Sequence, residues 1–159
     1  MKKIFSLTIV LLFATVLIAC TNNEQVPLAP EIVEVNPSEY NRRGAMYFNG
    51  DGVEQSDERA VYWYRQAAEL GHAQAQDNLG WMYGMGRGIE QDDAQAVYWF
   101  RMAAEQGFAN AQSNLGAMYE RGRGIEQDLE QARHWYTQAG VQGHEGARES
   151  LRLLMQQEN

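Results

Sequence analysis

A 36-residue period runs through most of this chain and decides what it can fold into. Gly44, Gly80 and Gly116 are spaced by that interval, and the alignment they set continues without a gap. Met46, Met82 and Met118 fall together, as do Tyr47, Tyr83 and Tyr119. The glycine pairs Gly50/Gly52, Gly86/Gly88 and Gly122/Gly124 follow, then Ala60/Ala96/Ala132 and Trp63/Trp99/Trp135. A fixed period of this length marks an array of stacked supersecondary units, none of which buries its apolar face alone. The most complete copy runs from Gly80 to Gly116.

Each unit carries two helical patterns. In the first, Ala75, Leu79, Met82 and Tyr83 recur at the spacing of one helix face. Gly84 and Gly86 predict its end, because glycine accepts the left-handed conformation that closes a helix. Gly88-Ile89-Glu90-Gln91 turns the chain back, with Ile89 filling the gap between helices. Asp92 then offers an N-cap oxygen with Gln95 as its capping-box partner, an arrangement Asp128 and Gln131 repeat and Ser56 keeps only as a cap. The second helix places Ala96, Trp99, Phe100, Ala103 and Ala104 on one broad face, and Gly107 ends it. The pattern predicts helices over 38–48, 57–70, 73–84, 93–106, 109–121, 129–140 and 144–157. Pro37, Glu39 and Arg43 replace Ala73, Ala75 and Leu79 in the first unit, and Arg152 replaces the glycine in the last. Degenerate end units suit faces that meet water.

These units resemble Sel-one-like repeats (SLR), a tetratricopeptide-like family. The resemblance rests on Ala-x-Ala-Gln-x-Asn-Leu-Gly (Ala73 to Gly80, Ala109 to Gly116) and Met-Tyr-x-x-Gly-x-Gly (Met82 to Gly88, Met118 to Gly124). Ala-x-x-Trp-aromatic (Ala96 to Phe100, Ala132 to Tyr136) adds to it, and the match extends from about Asn41 to Leu151. It implies an all-α, right-handed superhelical solenoid of helical hairpins, and a protein-interaction scaffold without shared catalytic apparatus.

Ahead of the repeats lies a different composition. Lys2 and Lys3 precede an apolar run from Ile4 to Ile18, too short to span a bilayer as a helix. An export signal fits it; a retained short anchor is the alternative. The run ends Leu17-Ile18-Ala19-Cys20, which resembles the lipobox of bacterial lipoproteins, with the chain's one cysteine where the motif needs it. That resemblance implies lipidation at Cys20 after cleavage, and buried acyl chains contribute about 0.8 kcal/mol per methylene to anchoring. Thr21 following the cysteine points, by resemblance to enteric lipoproteins, to the outer membrane facing the periplasm. The expected organisation is a signal peptide over 1–19, a lipidated cysteine and Pro-containing tether over 20–36, and a repeat domain over 37–159. Within that domain the repeats cover 37–72, 73–108 and 109–144, and a capping helix covers 145–157.

Charge narrows the function. All 21 acidic residues lie beyond Cys20, against 11 arginines and no lysine there. This balance argues against nucleic-acid binding and against a polybasic membrane patch. One cysteine cannot form a disulfide framework or a zinc site. His72 and His144 stand two units apart, on the order of 20 Å, and cannot share a metal; they read as turn residues, and no cofactor or metal is expected. The Gly-x-Gly loops follow helices rather than strands and read as terminators, not phosphate cradles. Asn78 and Asn114 read as buried amides bonded to a neighbouring loop backbone, with a ligand clamp as the alternative.

The repeats also act as their own control. Positions that stay constant between units serve the shared core; positions that change are free of that duty. On the first helix of each unit the changing positions are Gln74/Asn110, Asp77/Ser113, Trp81/Ala117 and Gly84/Glu120, with Met85/Arg121 beside them. Their spacing makes one stripe, which in tetratricopeptide-like arrays lines the concave face. Gln74, Asp77, Trp81, Met85, Asn110, Ser113, Ala117, Glu120 and Arg121 are therefore the candidate partner-binding residues. Asp77, Glu120 and Arg121 would form the polar rim. Trp81 has two readings, a groove anchor or a ring packed on the neighbouring unit. The expected function is a membrane-anchored adaptor of the bacterial cell envelope; a cell-wall enzyme or a structural spacer are the alternatives.

Overall fold

The computed structural model describes residues 36–157. Expectations about the signal, Cys20 and the tether before Asn36 lie outside the described residues. Within them the chain is helical throughout: α1 (Pro37–Asn49), α2 (Asp57–Glu69), α3 (Ala73–Met85), α4 (Asp93–Glu105), α5 (Ala109–Arg121), α6 (Leu129–Val141) and α7 (Glu145–Gln157). Consecutive helices pack on one another, giving hairpins α1/α2, α3/α4 and α5/α6 stacked in sequence and closed by α7. This is the helical-hairpin solenoid that the repeat predicts.

Local chemistry sets most of the boundaries, although α5 begins after Phe108 without a side-chain cap. α1, α3 and α5 close on a glycine in the left-handed region, Gly50, Gly86 and Gly122, whose N–H reaches back to Met46, Met82 and Met118. Gly84, expected to help stop α3, instead lies inside it. α2, α4 and α6 begin on the side-chain caps Ser56, Asp92 and Asp128. The reciprocal half of the expected capping box is replaced: the Asp92 N–H donates to the Tyr83 carbonyl and the Asp128 N–H to Tyr119. That bond ties the start of each second helix to the end of its first helix. His72 and His144 are themselves N-caps, their Nδ1 atoms accepting from the N–H of Ala75 and Ala147.

The core repeats with the sequence. Ala60, Ala67, Ala96, Ala103, Ala132 and Ala139 are fully buried, with Leu79, Met82 and Leu115 between them. Gly44, Gly80 and Gly116 face the rings of Tyr64, Phe100 and Tyr136 in the same hairpin. A Cβ on Gly80 would stand 2.8 Å from the Phe100 ring, so the missing side chain is the space the ring occupies.

Neighbouring hairpins are joined by the second glycine of each loop. Gly88 and Gly124 (φ +66) press onto the first turn of α2 and α4, where a Cβ would lie 2.3 Å from the Asp57 backbone or 2.2 Å from the Asp93 carbonyl oxygen. The adjacent arginine completes the joint. Arg87 pairs with both carboxylate oxygens of Asp57 at 2.8 Å, and Arg123 does the same with Asp93. Gln76 and Gln112, both buried, donate to the carbonyls of Ala68 and Ala104 at the ends of the preceding second helices. Trp99 and Trp135 are half-buried against the core that the preceding second helix forms with the first helix of their own hairpin. Among the described residues no hairpin precedes Trp63; Arg43, standing where Leu79 stands one unit later, covers its ring at 4.9 Å. A cation over an indole face suits an end that meets water.

Candidate functional site

The face built by α1, α3 and α5 holds the stripe of changing residues, and the structure sorts that stripe into three kinds. Gln74, Met85, Asn110 and Arg121 are exposed, and Ser113, Ala117 and Glu120 are half-buried. Asp77 is the exception. Expected on a polar rim, it is 8% exposed, and its carboxylate accepts from Asn114 Nδ2 at 2.9 Å. One hairpin earlier the same rung is built from amides, Asn78 Nδ2 donating to Asn41 Oδ1 at 3.1 Å. Asn78 and Asn114 therefore bond side chains of the preceding first helix, not a loop backbone. Burial raises the Asp77 pKa to about 6, and the Asn114 hydrogen bond and the charge of His144 oppose that rise.

Trp81 packs on the neighbouring unit, as one of its two readings expects. Its ring meets Phe48 edge-on, centroids 5.7 Å apart at 85°, and Arg87 lies over both rings, 4.6 Å from Phe48 and 5.6 Å from Trp81. Yet the residue is 36% exposed and forms the partition between two cavities. One, of about 250 Å³, lies between α1 and α3 and is lined by Phe48, Tyr64, Asn78, Trp81 and Met82. The other, of about 190 Å³, lies between α3 and α5. Its lining includes Gly84, Phe100, Asn114, Ala117 and Met118, the same five positions one repeat later. These are two copies of one site. Trp81, Met85 and Arg121 complete the mouth of the second copy.

The third junction differs. Glu120 takes the place of Phe48 and Gly84, and it accepts the Tyr136 hydroxyl at 2.7 Å. Burial and the neighbouring carboxylate both push the ionisation of that hydroxyl upward. The pairing turns Glu120 toward α6 and away from the rim expected for it.

Phe48, Phe100, Met118 and Arg123 line these cavities and were not singled out by the repeat comparison. Phe100, whose equivalents are Tyr64 and Tyr136, and Met118, which is constant, are shared-core residues, and that core duty hides their second role as cavity floor. Arg123 belongs to a loop; it donates to the Gly84 carbonyl besides pairing with Asp93. Chemically the face offers apolar cavities with amide and guanidinium edges. Among the described residues no three His, Cys, Asp or Glu side chains converge as metal ligands would.

Comparison with known proteins agrees with this architecture. A profile of the Sel1 repeat matches residues 40–72, 73–108 and 109–144, more than half of the chain. The crystal structure of a Sel1 repeat protein from Oxalobacter formigenes is 43% identical with a TM-score of 0.68, over 74% of this chain and 88% of that one. A protective antigen of uropathogenic Escherichia coli strains, displaying an SLR fold, is 45% identical with a TM-score of 0.67 over 67% of this chain. The match spans 23% of that antigen's length. Cysteine-rich protein B of Helicobacter pylori shares the fold at 20% identity, with a TM-score of 0.60 over 72% of this chain and 90% of that one. Among curated proteins no match was found.

Proposed function

Because the chain belongs to the Sel1 repeat family, whose repeats mediate protein–protein interaction, we propose that it is a lipid-anchored scaffold of the bacterial cell envelope. It takes a protein or peptide partner along the α1–α3–α5 face, and Cys20 carries the anchor on the outer membrane, facing the periplasm. The observation that carries the binding face is the pair of equivalent cavities at one-repeat spacing, set among the residues that change between units. The aromatic position shared by the units is used up inside the array, as the rings of Phe100 and Tyr136 against Gly80 and Gly116 illustrate.

Support for the anchor comes from the sequence. The cysteine closing the apolar run is the chain's only one, and the segment up to Asn36 gives a folded array room to stand off a membrane. Acyl chains at one end and a binding face at the other make an adaptor.

Two measurements test the proposal together. Metabolic labelling with a fatty-acid analogue marks the wild type, and Cys20→Ser abolishes the label; equal labelling of the variant rejects the anchor. Crosslinking in intact envelopes from a photoreactive residue at Met85 traps a protein partner, whereas the same residue at Glu126, in an exposed loop, does not. Equal trapping at both positions rejects the binding face.

A further inference from the structure

We infer that the cavity between α3 and α5 receives one large apolar side chain of an extended partner segment, with a carboxylate next to that side chain seated on Arg121. This rests on the scaffold reading and names the chemistry of what it binds.

The first argument is a glycine without a packing reason. Gly80 and Gly84 both lie inside α3, where glycine costs about 1 kcal/mol against alanine. At Gly80 the cost is explained, since a Cβ would collide with the Phe100 ring. At Gly84 a Cβ would meet only the Ala96 Cβ at 3.6 Å, an ordinary contact. The equivalent position one repeat earlier carries Phe48, and Ala117 likewise stands where that repeat has Trp81. Two rings that line the cavity of the first junction are thus absent from the wall of the second, where Gly84 and Ala117 leave Phe100 and Met118 as an apolar floor.

The second argument is charge. The chain beyond Cys20 is strongly acidic, yet Arg121 stands exposed at the mouth of this cavity. Among the described residues Arg121 makes no ion pair. Its neighbour Glu120 is engaged by the Tyr136 hydroxyl, and Arg123 is committed to Asp93 and the Gly84 carbonyl. An unpaired guanidinium beside an apolar cavity complements an apolar side chain flanked by Asp or Glu.

The test pans a displayed library of random linear peptides on the full chain held in lipid nanodiscs. Enrichment of Phe, Trp, Leu or Ile adjacent to Asp or Glu is expected. Gly84→Phe and Ala117→Trp put large rings into the wall of the cavity, as the first repeat has at the same positions, and circular dichroism checks that the array stays folded. Either variant should weaken the enriched peptides by about tenfold or more, and Arg121→Glu should shift the selected neighbour from acidic to basic. Peptides of other chemistry that still bind Gly84→Phe would overturn this inference and leave the scaffold reading intact. Self-association of the chain that Gly84→Phe abolishes would assign the cavity to a second copy and overturn it equally. If no peptide is enriched while crosslinking at Met85 still traps a partner, the linear-segment inference falls alone. If both experiments are empty, the scaffold reading falls with it.

Discussion

The first and second junctions of the array share a backbone arrangement and differ in the side chains that line their cavities. Between α1 and α3, Phe48 and Trp81 meet edge to face under the Arg87 guanidinium. Between α3 and α5, Gly84 and Ala117 take those positions, and Arg123 donates to the Gly84 carbonyl where Arg87 covers a ring. Each junction keeps a cavity, of about 250 Å³ in the first and about 190 Å³ in the second. Both junctions keep the arginine–aspartate pair, the pressed glycine and the amide rung. The contacts that stack the hairpins are thus kept from junction to junction even where they border a cavity, as Asn78, Asn114 and Arg123 do, whereas Phe48/Gly84 and Trp81/Ala117 vary beside them.

Breaking the shared part should have the largest effect. Gly124→Ala drives a Cβ into the Asp93 carbonyl at a positive φ, and should cost more than about 3 kcal/mol in urea unfolding. Gly52→Ala is the control: its φ is +74, but nothing lies within 4 Å, and among the described residues no hairpin precedes it. It should lose only the conformational term of about 1–2 kcal/mol.

The amide rung sharpens the comparison, since one junction uses Asn41 and the next Asp77. The folded-state pKa of Asp77, about 6, lies above the unfolded value near 4. Between those values the native state binds the extra proton, so this group's contribution is fullest below about pH 4 and is lost as pH rises to about 6. Asp77→Asn should accordingly stabilise the array at pH 7 by on the order of 2 kcal/mol. The gain over wild type should shrink as thermal melts are repeated toward pH 4. A variant less stable at pH 7 would show that the carboxylate itself is needed.

Removing the partition between the two cavities comes next. Trp81→Ala should cost about 1–2 kcal/mol, less than a fully buried tryptophan because a third of it is already in water. A loss beyond about 3 kcal/mol would make Trp81 core alone. The smallest effects come from two glycines four residues apart. Gly80→Ala should destabilise by about 1 kcal/mol or more despite the better helix former, because the Phe100 ring must yield. Gly84→Ala should stabilise by up to about 1 kcal/mol. Equal signs for the two would dissolve the distinction between a glycine needed for packing and one that keeps a cavity open.

Much of this was legible before any coordinates. The repeat of Gly44, Gly80 and Gly116 located the hairpins, and the caps Ser56, Asp92 and Asp128 start their helices where a side-chain oxygen was expected. The changing stripe led to Trp81, Met85, Ala117 and Arg121, which do line one cavity. Asp77 and Glu120 belong to the same stripe by spacing and are turned into hydrogen bonds instead. Nothing in their own helices distinguishes them from rim residues; the distinction is made by Asn114 and Tyr136 on other helices.

The division has a physical cause. Periodicity, capping and glycine termination act over a few residues of one helix or turn, so the sequence alone determined the hairpins, their order and the existence of a repeated core. The rung from Asn114 to Asp77 spans 37 residues and the pair from Arg87 to Asp57 spans 30. Such groups meet only after the hairpins have stacked at a particular offset. Which stripe residues are buried, which glycine is pressed against a backbone and which faces an open cavity were decided by that stacking, in the tertiary structure alone.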